Sequence, residues 1–120
     1  MSDIRMGEAE SRFAEIIWNN ESLPSGQLAK LAEGELNWKK TTSFTVLKRL
    51  CDKGIFQNMG GTVTSRISRQ EFFALQSEKF VADTFAGSLP AFLAAFTSRK
   101  QLSQEEVAQL RRMIDAYEEG

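Results

Sequence analysis

Apolar residues in the first part of the chain recur at the spacing of a helix with one buried face. Between residues 7 and 20, Ala9, Phe13, Ile16 and Ile17 fall at positions i, i+4, i+7 and i+8, with charged residues between them. This is the pattern of an amphipathic helix. We therefore expect these side chains to face a hydrophobic core.

Two more helices are predicted before the pattern changes. Pro24 and Ser25 are typical of the start of a short helix, and Gly34 is typical of its end. A longer helix is predicted from about Lys40 to Lys53, where Gly54 is a favoured terminator. Its apolar positions recur at helical spacing and are Val46, Leu47 and Leu50.

After Gly54 the period of the pattern falls to two, which is typical of strands. Two alternating runs, residues 55–59 and 62–68, flank the pair Gly60-Gly61. Glycine takes positive φ without penalty, so this pair favours a tight hairpin turn. Three helices followed by a hairpin predict a winged helix-turn-helix.

The rest of the chain is again helical in pattern and rich in phenylalanine. Ser103 and Glu106 form a capping box at the start of a last helix, whose apolar stripe is Val107, Leu110, Ile114 and Tyr117. We therefore predict a mainly α fold with a small β-hairpin, divided into a winged helix DNA-binding domain at residues 1–69 and a helical dimerisation region at residues 70–120.

Charge is distributed unevenly between these parts. The 120-residue chain has a formal net charge of −1, yet residues 38–69 carry seven Lys or Arg side chains and a single acid, Asp52. A local excess of positive charge in an acidic chain points to a polyanionic partner, and double-stranded DNA is the partner that a winged helix would bind.

The third helix has the layout of a helix that enters the major groove, with polar residues in its first turns and an apolar face behind them. An ordinary solvated helix face would also carry such charges, but helix order and the glycine turn favour DNA binding. The candidate DNA-binding residues are Lys39, Lys40, Thr41, Thr42, Phe44, Thr45 and Lys48 on this helix and Arg66 on the hairpin.

Other functional classes find little support in the composition. The chain has no histidine and one cysteine, Cys51, so common catalytic pairings and a zinc site cannot be assembled; we expect no enzyme activity, metal or cofactor. No window approaches the roughly 18 apolar residues of a membrane span, so we expect a cytoplasmic protein without membrane insertion. Cys51 is either a small half-buried side chain or a redox switch whose thiolate Lys48 and Lys53 would favour.

The motifs of the third helix resemble those of the penicillinase repressor family of bacterial winged-helix regulators, which includes copper-responsive repressors. The first helix, with its acidic start and the terminal run Ile16-Ile17-Trp18, is similar to the opening helix of that family. The residues that resemble the recognition-helix signature are Trp38, Thr41, Thr42, Thr45, Leu47, Arg49-Leu50 and Lys53-Gly54. Together with the C-terminal helices, the resemblance covers nearly the whole chain.

The chain departs from the family pattern at two neighbouring positions. Ser43 stands where relatives tend to have a branched apolar residue, and Phe44 stands where a polar residue commonly faces DNA. The hairpin also lacks the tyrosine-rich second strand of relatives. We therefore expect Ser43 and Phe44 to be the positions at which base readout differs.

The resemblance implies a transcriptional repressor that binds a palindromic promoter operator as a homodimer through its C-terminal helices. Because the phenylalanine-rich tail cannot bury its own aromatic surface, a second copy is also a physical expectation. The candidate interface residues are Phe80, Phe85, Leu89, Phe92, Leu93 and Phe96.

Relatives are induced in two ways, and the sequence distinguishes between them. The Cys-x-Cys motif of copper-responsive members is missing, because Cys51 is the only cysteine. In antibiotic-responsive members a regulatory protease cuts just before a phenylalanine, and the bond between Ala95 and Phe96 is similar to that site.

A competing hypothesis for the function of the whole chain is a winged-helix protein-interaction module with weak or no sequence-specific DNA binding.

Overall fold

The computed structural model describes residues 5–119 and contains six helices and three strands within that range. In chain order they are α1 (Glu8–Asn19), β1 (Leu23–Pro24), α2 (Ser25–Leu36), α3 (Lys40–Asp52), β2 (Phe56–Met59), β3 (Thr62–Ser65), α4 (Arg69–Phe85), α5 (Leu89–Thr97) and α6 (Gln104–Glu119). This is the mainly α fold with a winged helix domain and C-terminal helices that the pattern predicts.

The three strands form one antiparallel sheet in the order β1-β3-β2. The predicted hairpin is confirmed: Met59 pairs with Thr62 across Gly60 and Gly61, whose φ angles are +60° and +92°. The strand β1 was not predicted. It has only two residues, which is too short to produce a periodic signal in the sequence.

The core lies where α1, α2, α3 and the sheet meet. Its largest fully buried side chains include Phe13, Phe56 and Phe72. Trp18 connects its parts, since its ring lies 5.2 Å from that of Phe56 and 5.5 Å from that of Phe72, and its indole N–H donates to the Ile67 carbonyl at 3.1 Å. The start of α4 is therefore packed into the same core as the wing.

Two local predictions from the sequence are wrong. Gly34 does not end α2, which continues to Leu36 and is capped by Asn37 with φ +58°. Asparagine tolerates the left-handed conformation better than most residues, and it follows the last apolar turn. Ala9 is exposed, and Ala14 takes the buried position on α1 instead.

The contacts divide the chain into two units, one ending at Ser77 and the other beginning at Glu78, within α4. The second unit contains a cluster of phenylalanine rings in edge-on or tilted contact. Phe80, Phe85 and Phe92 contact one another with ring centroids 5.6–6.0 Å apart, and Phe96 lies 6.1 Å from Phe92.

The capping box of α6 is confirmed by hydrogen bonds of 3.1 Å in both directions between Ser103 and Glu106.

Candidate nucleic-acid interface

The helix α3 separates polar from apolar side chains by face. Ser43, Val46, Leu47 and Leu50 are buried against the core. The opposite face is solvent-exposed and carries Lys39, Lys40, Thr41, Thr42, Phe44, Thr45 and Lys48. The structure thus brings together on one surface, which we call the α3 face, every candidate DNA-binding residue except Arg66.

Local contacts order this face. The Thr45 hydroxyl donates to the Thr41 carbonyl at 2.9 Å, leaving its oxygen free to accept a further hydrogen bond. The Lys40 ammonium lies 5.7 Å from the centre of the Phe44 ring, within cation-π range. Phe44 is 36% exposed, so an aromatic surface lies among cations and hydroxyls.

Ser43 does not belong to this surface. It is 2% exposed, and its hydroxyl is the one buried side-chain oxygen or nitrogen in residues 5–119 that lacks a hydrogen-bond partner. The expectation that Ser43 would alter base readout is therefore wrong, because its side chain points into the core. Ser43 precedes Val46, Leu47 and Leu50 by three, four and seven residues, so the helical period already contained this signal.

The seven cations of residues 38–69 fall into two groups. Three are paired with carboxylates of α1: Glu10 lies 3.5 Å from Arg49 and 3.9 Å from Lys53, and Glu15 lies 2.7 Å from Arg69. These cations hold α1 against the end of α3 and the start of α4. Their charge is largely compensated within the fold, so they contribute less to the positive potential than the sequence suggests.

The remaining cations are directed towards solvent. Lys48 has only a 3.4 Å contact with Asp52 one turn away on the same helix, with both side chains well exposed. Surface pairs of this kind contribute little and exchange readily for another anion. Lys39 and Lys40 form no ion pair within residues 5–119. The positive charge available to a polyanion therefore comes from Lys39 and Lys40 at the start of α3, from Lys48 about two turns further along, and from Arg66 after β3.

Arg66 lies at the open end of the hairpin, away from the turn at Gly60 and Gly61. It follows the last residue of β3, and its backbone N–H donates to the Ile55 carbonyl at 2.8 Å. Its side chain is exposed, at the end of the hairpin opposite Gly60 and Gly61.

Lys30 is a further exposed cation near the α3 face that the sequence pattern did not place among the candidate DNA-binding residues. An open groove of about 560 Å³ between α2 and α3 is lined by Gln27, Lys30, Glu33 and Lys40, with Gly26 and Ala29. Lys30 is exposed on α2 between the buried residues Ala29 and Ala32. The spacing of the apolar residues on α2 was the available signal, because it leaves position 30 on the outer face.

The Cys51 thiol has the environment of a structural side chain. Burial raises its pKa above the ordinary range, and the neighbouring Asp52 carboxylate raises it further. The pKa of Cys51 is thus raised, and the lowering expected from Lys48 and Lys53 is not found. Within residues 5–119, no three side chains of His, Cys, Asp or Glu form a group suited to a metal ion.

No single helix in the described part of the chain is long and apolar enough to cross a membrane. Only α4 and α5 taken together satisfy the length and composition, and they are bent by 82°.

Comparison with known proteins gives a consistent family relationship. The penicillinase repressor model matches residues 6–116. The chain is 25% identical to the penicillinase repressor of Bacillus licheniformis over 117 residues, covering 94% of this chain and 91% of that protein. It is 21% identical over 114 residues to the methicillin resistance regulatory protein MecI of Mammaliicoccus sciuri and, equally, of Staphylococcus epidermidis, covering 92% of this chain and 93% of each relative.

Proposed function

The chain belongs to the penicillinase repressor family of DNA-binding transcriptional repressors, and on this premise we propose that it binds a palindromic promoter operator as a homodimer. Its relatives are regulators and not enzymes, so we infer that it acts by occupying DNA. A repressor of this family works in the cytoplasm, where the promoter is.

The observation that carries this proposal is the α3 face. Lys39, Lys40 and Lys48 are exposed there without a buried acid to neutralise them. They would contact phosphates, while Thr41, Thr42 and Thr45 offer hydroxyls to phosphates or base edges. Phe44 would pack on a thymine methyl group, a contact that carries sequence information without a hydrogen bond.

Salt-titrated binding to a duplex from the promoter of its own gene tests the function. For a DNA reader, the logarithm of affinity falls with the logarithm of salt concentration by about 0.9 per phosphate neutralised. A flat response, or no binding to any duplex, would favour the protein-interaction module instead.

Three variants separate phosphate contacts from base contacts. We expect Lys40→Ala to weaken binding to all sequences alike and to reduce the salt slope by about 0.9. Phe44→Ala and Thr45→Ala should instead reduce the preference for operator over random DNA by about 1–3 kcal/mol. Equal losses on both DNAs for all three variants would show that the base contacts are misassigned.

Arg49→Ala is the matched control for Lys40→Ala. Arg49 is a cation of the same helix, but it pairs with Glu10 on α1. We therefore expect Arg49→Ala to leave the salt slope nearly unchanged. A slope change as large as that of Lys40→Ala would contradict the division of the cations into two groups.

The homodimer is proposed from the apolar surface of the second unit. Phe80, Leu89 and Phe96 are each about half exposed, and Phe85, Phe92 and Leu93 are partly exposed beside them. On α6, Met113, Ile114 and Tyr117 are exposed as well. A second copy would cover this surface and double the phosphate contacts.

Sedimentation equilibrium of the purified chain tests the dimer. We expect Leu89→Glu to shift the mass towards the monomer, since a charge would be buried in the contact. Lys79→Glu is the control, because Lys79 lies on α4 in an exposed ion pair with Asp83. A monomeric wild-type chain that still binds a palindrome tightly would contradict the proposal.

We also propose that a regulatory protease cuts between Ala95 and Phe96. Both side chains are exposed on α5. The helix must open locally before cleavage, because Ser98 donates its N–H to the Ala94 carbonyl at 3.2 Å across this bond. Cleavage would separate α6 from the rest of the chain. A repressor that remains intact while its target genes are induced would refute this mechanism.

A further inference from the structure

The α3 face carries an aromatic ring that the core does not use. Phe44 belongs neither to the buried core nor to the partly buried side chains packed against it, and it is 36% exposed. The Lys40 ammonium lies over the ring at 5.7 Å from its centre. The exposed part of the ring is therefore available to an apolar group of a partner.

The Thr45 hydroxyl beside this ring has a fixed polarity. Its proton is donated to the Thr41 carbonyl at 2.9 Å, and a hydroxyl has only one proton to give. Thr45 is exposed, so its oxygen is left to accept a hydrogen bond from outside the helix. To donate to a base instead, the hydroxyl would have to give up its contact with Thr41. Thr45 therefore favours a base that donates.

The rest of the segment from Lys39 to Lys48 offers few acceptors. It contains no carboxylate and no carboxamide, which are the side chains that usually read the amino groups of cytosine and adenine in the major groove. Lysine only donates, so threonine oxygens are the side-chain acceptors on this face. Among them, Thr45 is committed to accepting by its bond to Thr41.

Two adjacent residues of α3 thus offer an apolar ring and a hydrogen-bond acceptor. A cytosine methylated at C5 presents the matching pair, because its methyl group and its N4 amino group are neighbours on the major-groove edge. Thymine has the same methyl group, but the oxygen at its C4 is an acceptor that Thr45 does not satisfy.

We propose that Phe44 and Thr45 together recognise 5-methylcytosine, so that methylation of one cytosine in the operator strengthens binding. The ring packs on the C5 methyl group, and the N4 amino group donates to the Thr45 hydroxyl oxygen. Thymine at the same position keeps only the methyl contact. This inference rests on the proposed function, because it needs the α3 face in the major groove. It adds the methylation state of the DNA as a signal that the repressor reads.

Four duplexes that differ at one pyrimidine test the two contacts separately. Thymine and 5-methylcytosine carry the methyl group, whereas uracil and cytosine lack it, and only the two cytosines carry the amino group. Each pyrimidine in one half-site of a duplex from the chain's own promoter is replaced in turn. Affinity for the full chain is measured by fluorescence anisotropy.

At one of these positions we expect 5-methylcytosine to bind about fourfold more tightly than cytosine, which is the value of one buried methyl group. Thymine should exceed uracil by the same factor. Both comparisons leave the opposite strand unchanged. Phe44→Ala should abolish both methyl effects, whereas Phe44→Leu, which keeps an apolar side chain, should retain most of them.

Thr45→Val tests the second contact, because it replaces the hydroxyl by a methyl group of similar size. It should keep the methyl effects but reduce the preference for 5-methylcytosine over thymine about two- to twelvefold relative to the wild type, as expected for one hydrogen bond. Thr45→Ser, which keeps the hydroxyl, is the control. The comparison between variants cancels the exchange of guanine for adenine on the opposite strand.

The outcomes separate the two proposals. If the wild type binds the operator with a steep salt slope and no pyrimidine position responds to the methyl group, the recognition of 5-methylcytosine is refuted and the repressor function stands. If the wild type binds no duplex, both fall. A methyl effect that persists in Phe44→Ala, or a preference for 5-methylcytosine over thymine that Thr45→Val leaves unchanged, would also overturn the inference.

Discussion

Replacing Ser43 by alanine should stabilise the protein. The Ser43 hydroxyl is buried at 2% exposure without a hydrogen-bond partner. An unsatisfied buried polar group costs about 1–3 kcal/mol. Alanine is also the better helix former by about 0.5 kcal/mol, whereas the small cavity left by one oxygen costs about 0.5 kcal/mol. The last two terms cancel, so we expect the free energy of unfolding to rise by about 1–3 kcal/mol.

Urea denaturation at one fixed protein concentration measures this change, because a dimer would make stability depend on concentration. Thr42→Ala is the matched control. It lies next to Ser43 on α3 but is exposed, so its replacement changes helix propensity without removing a buried hydroxyl. The difference between the two variants therefore reports the desolvation cost of the buried hydroxyl less the small cost of the cavity.

DNA binding provides a second readout of the same substitution. Because Ser43 faces the core, Ser43→Ala should leave operator affinity and sequence preference unchanged. An equal or lower stability of Ser43→Ala relative to Thr42→Ala would show that the hydroxyl finds a partner in solution. A change in sequence preference would show that position 43 influences the α3 face after all.

Three further predictions concern the packing of the first unit. Phe72→Ala should lose about 3–5 kcal/mol in a urea titration, because a buried ring in contact with Trp18 is removed; a loss under 1 kcal/mol would contradict its place in the core. Glu10→Gln should lose about 1–3 kcal/mol, and part of the loss should persist in 1 M salt, because Glu10 and its partner Lys53 are only 18% and 21% exposed, whereas Arg49 is half-exposed; full recovery of the loss in 1 M salt would refute this. The raised pKa of Cys51 keeps its thiol protonated at neutral pH. Iodoacetamide should therefore alkylate Cys51 more slowly than it alkylates free cysteine, and the rate should increase only as the pH rises through that higher pKa. Rapid alkylation at pH 7 would contradict the burial of the thiol.

Short-range physics made much of this protein predictable from its sequence. The helical period of Phe13, Ile16 and Ile17, the Gly60-Gly61 turn and the Ser103–Glu106 capping box each involve residues within a few positions of one another. Local geometry alone satisfies such patterns. The same logic failed at Gly34, because Leu36, two residues further on, packs against the core and the helix ends at Asn37 instead.

The sequence by itself determined the three helices, the hairpin and the basic character of residues 38–69. Only the tertiary structure decided which of those cations remain available to a polyanion. Glu10 is 39 positions from its partner Arg49 along the chain, and Glu15 is 54 positions from its partner Arg69. The strand β1 was likewise settled by pairing with β3, since two residues have no periodicity of their own. Charge can be counted in a sequence, but compensation between charges depends on distances that only folding creates.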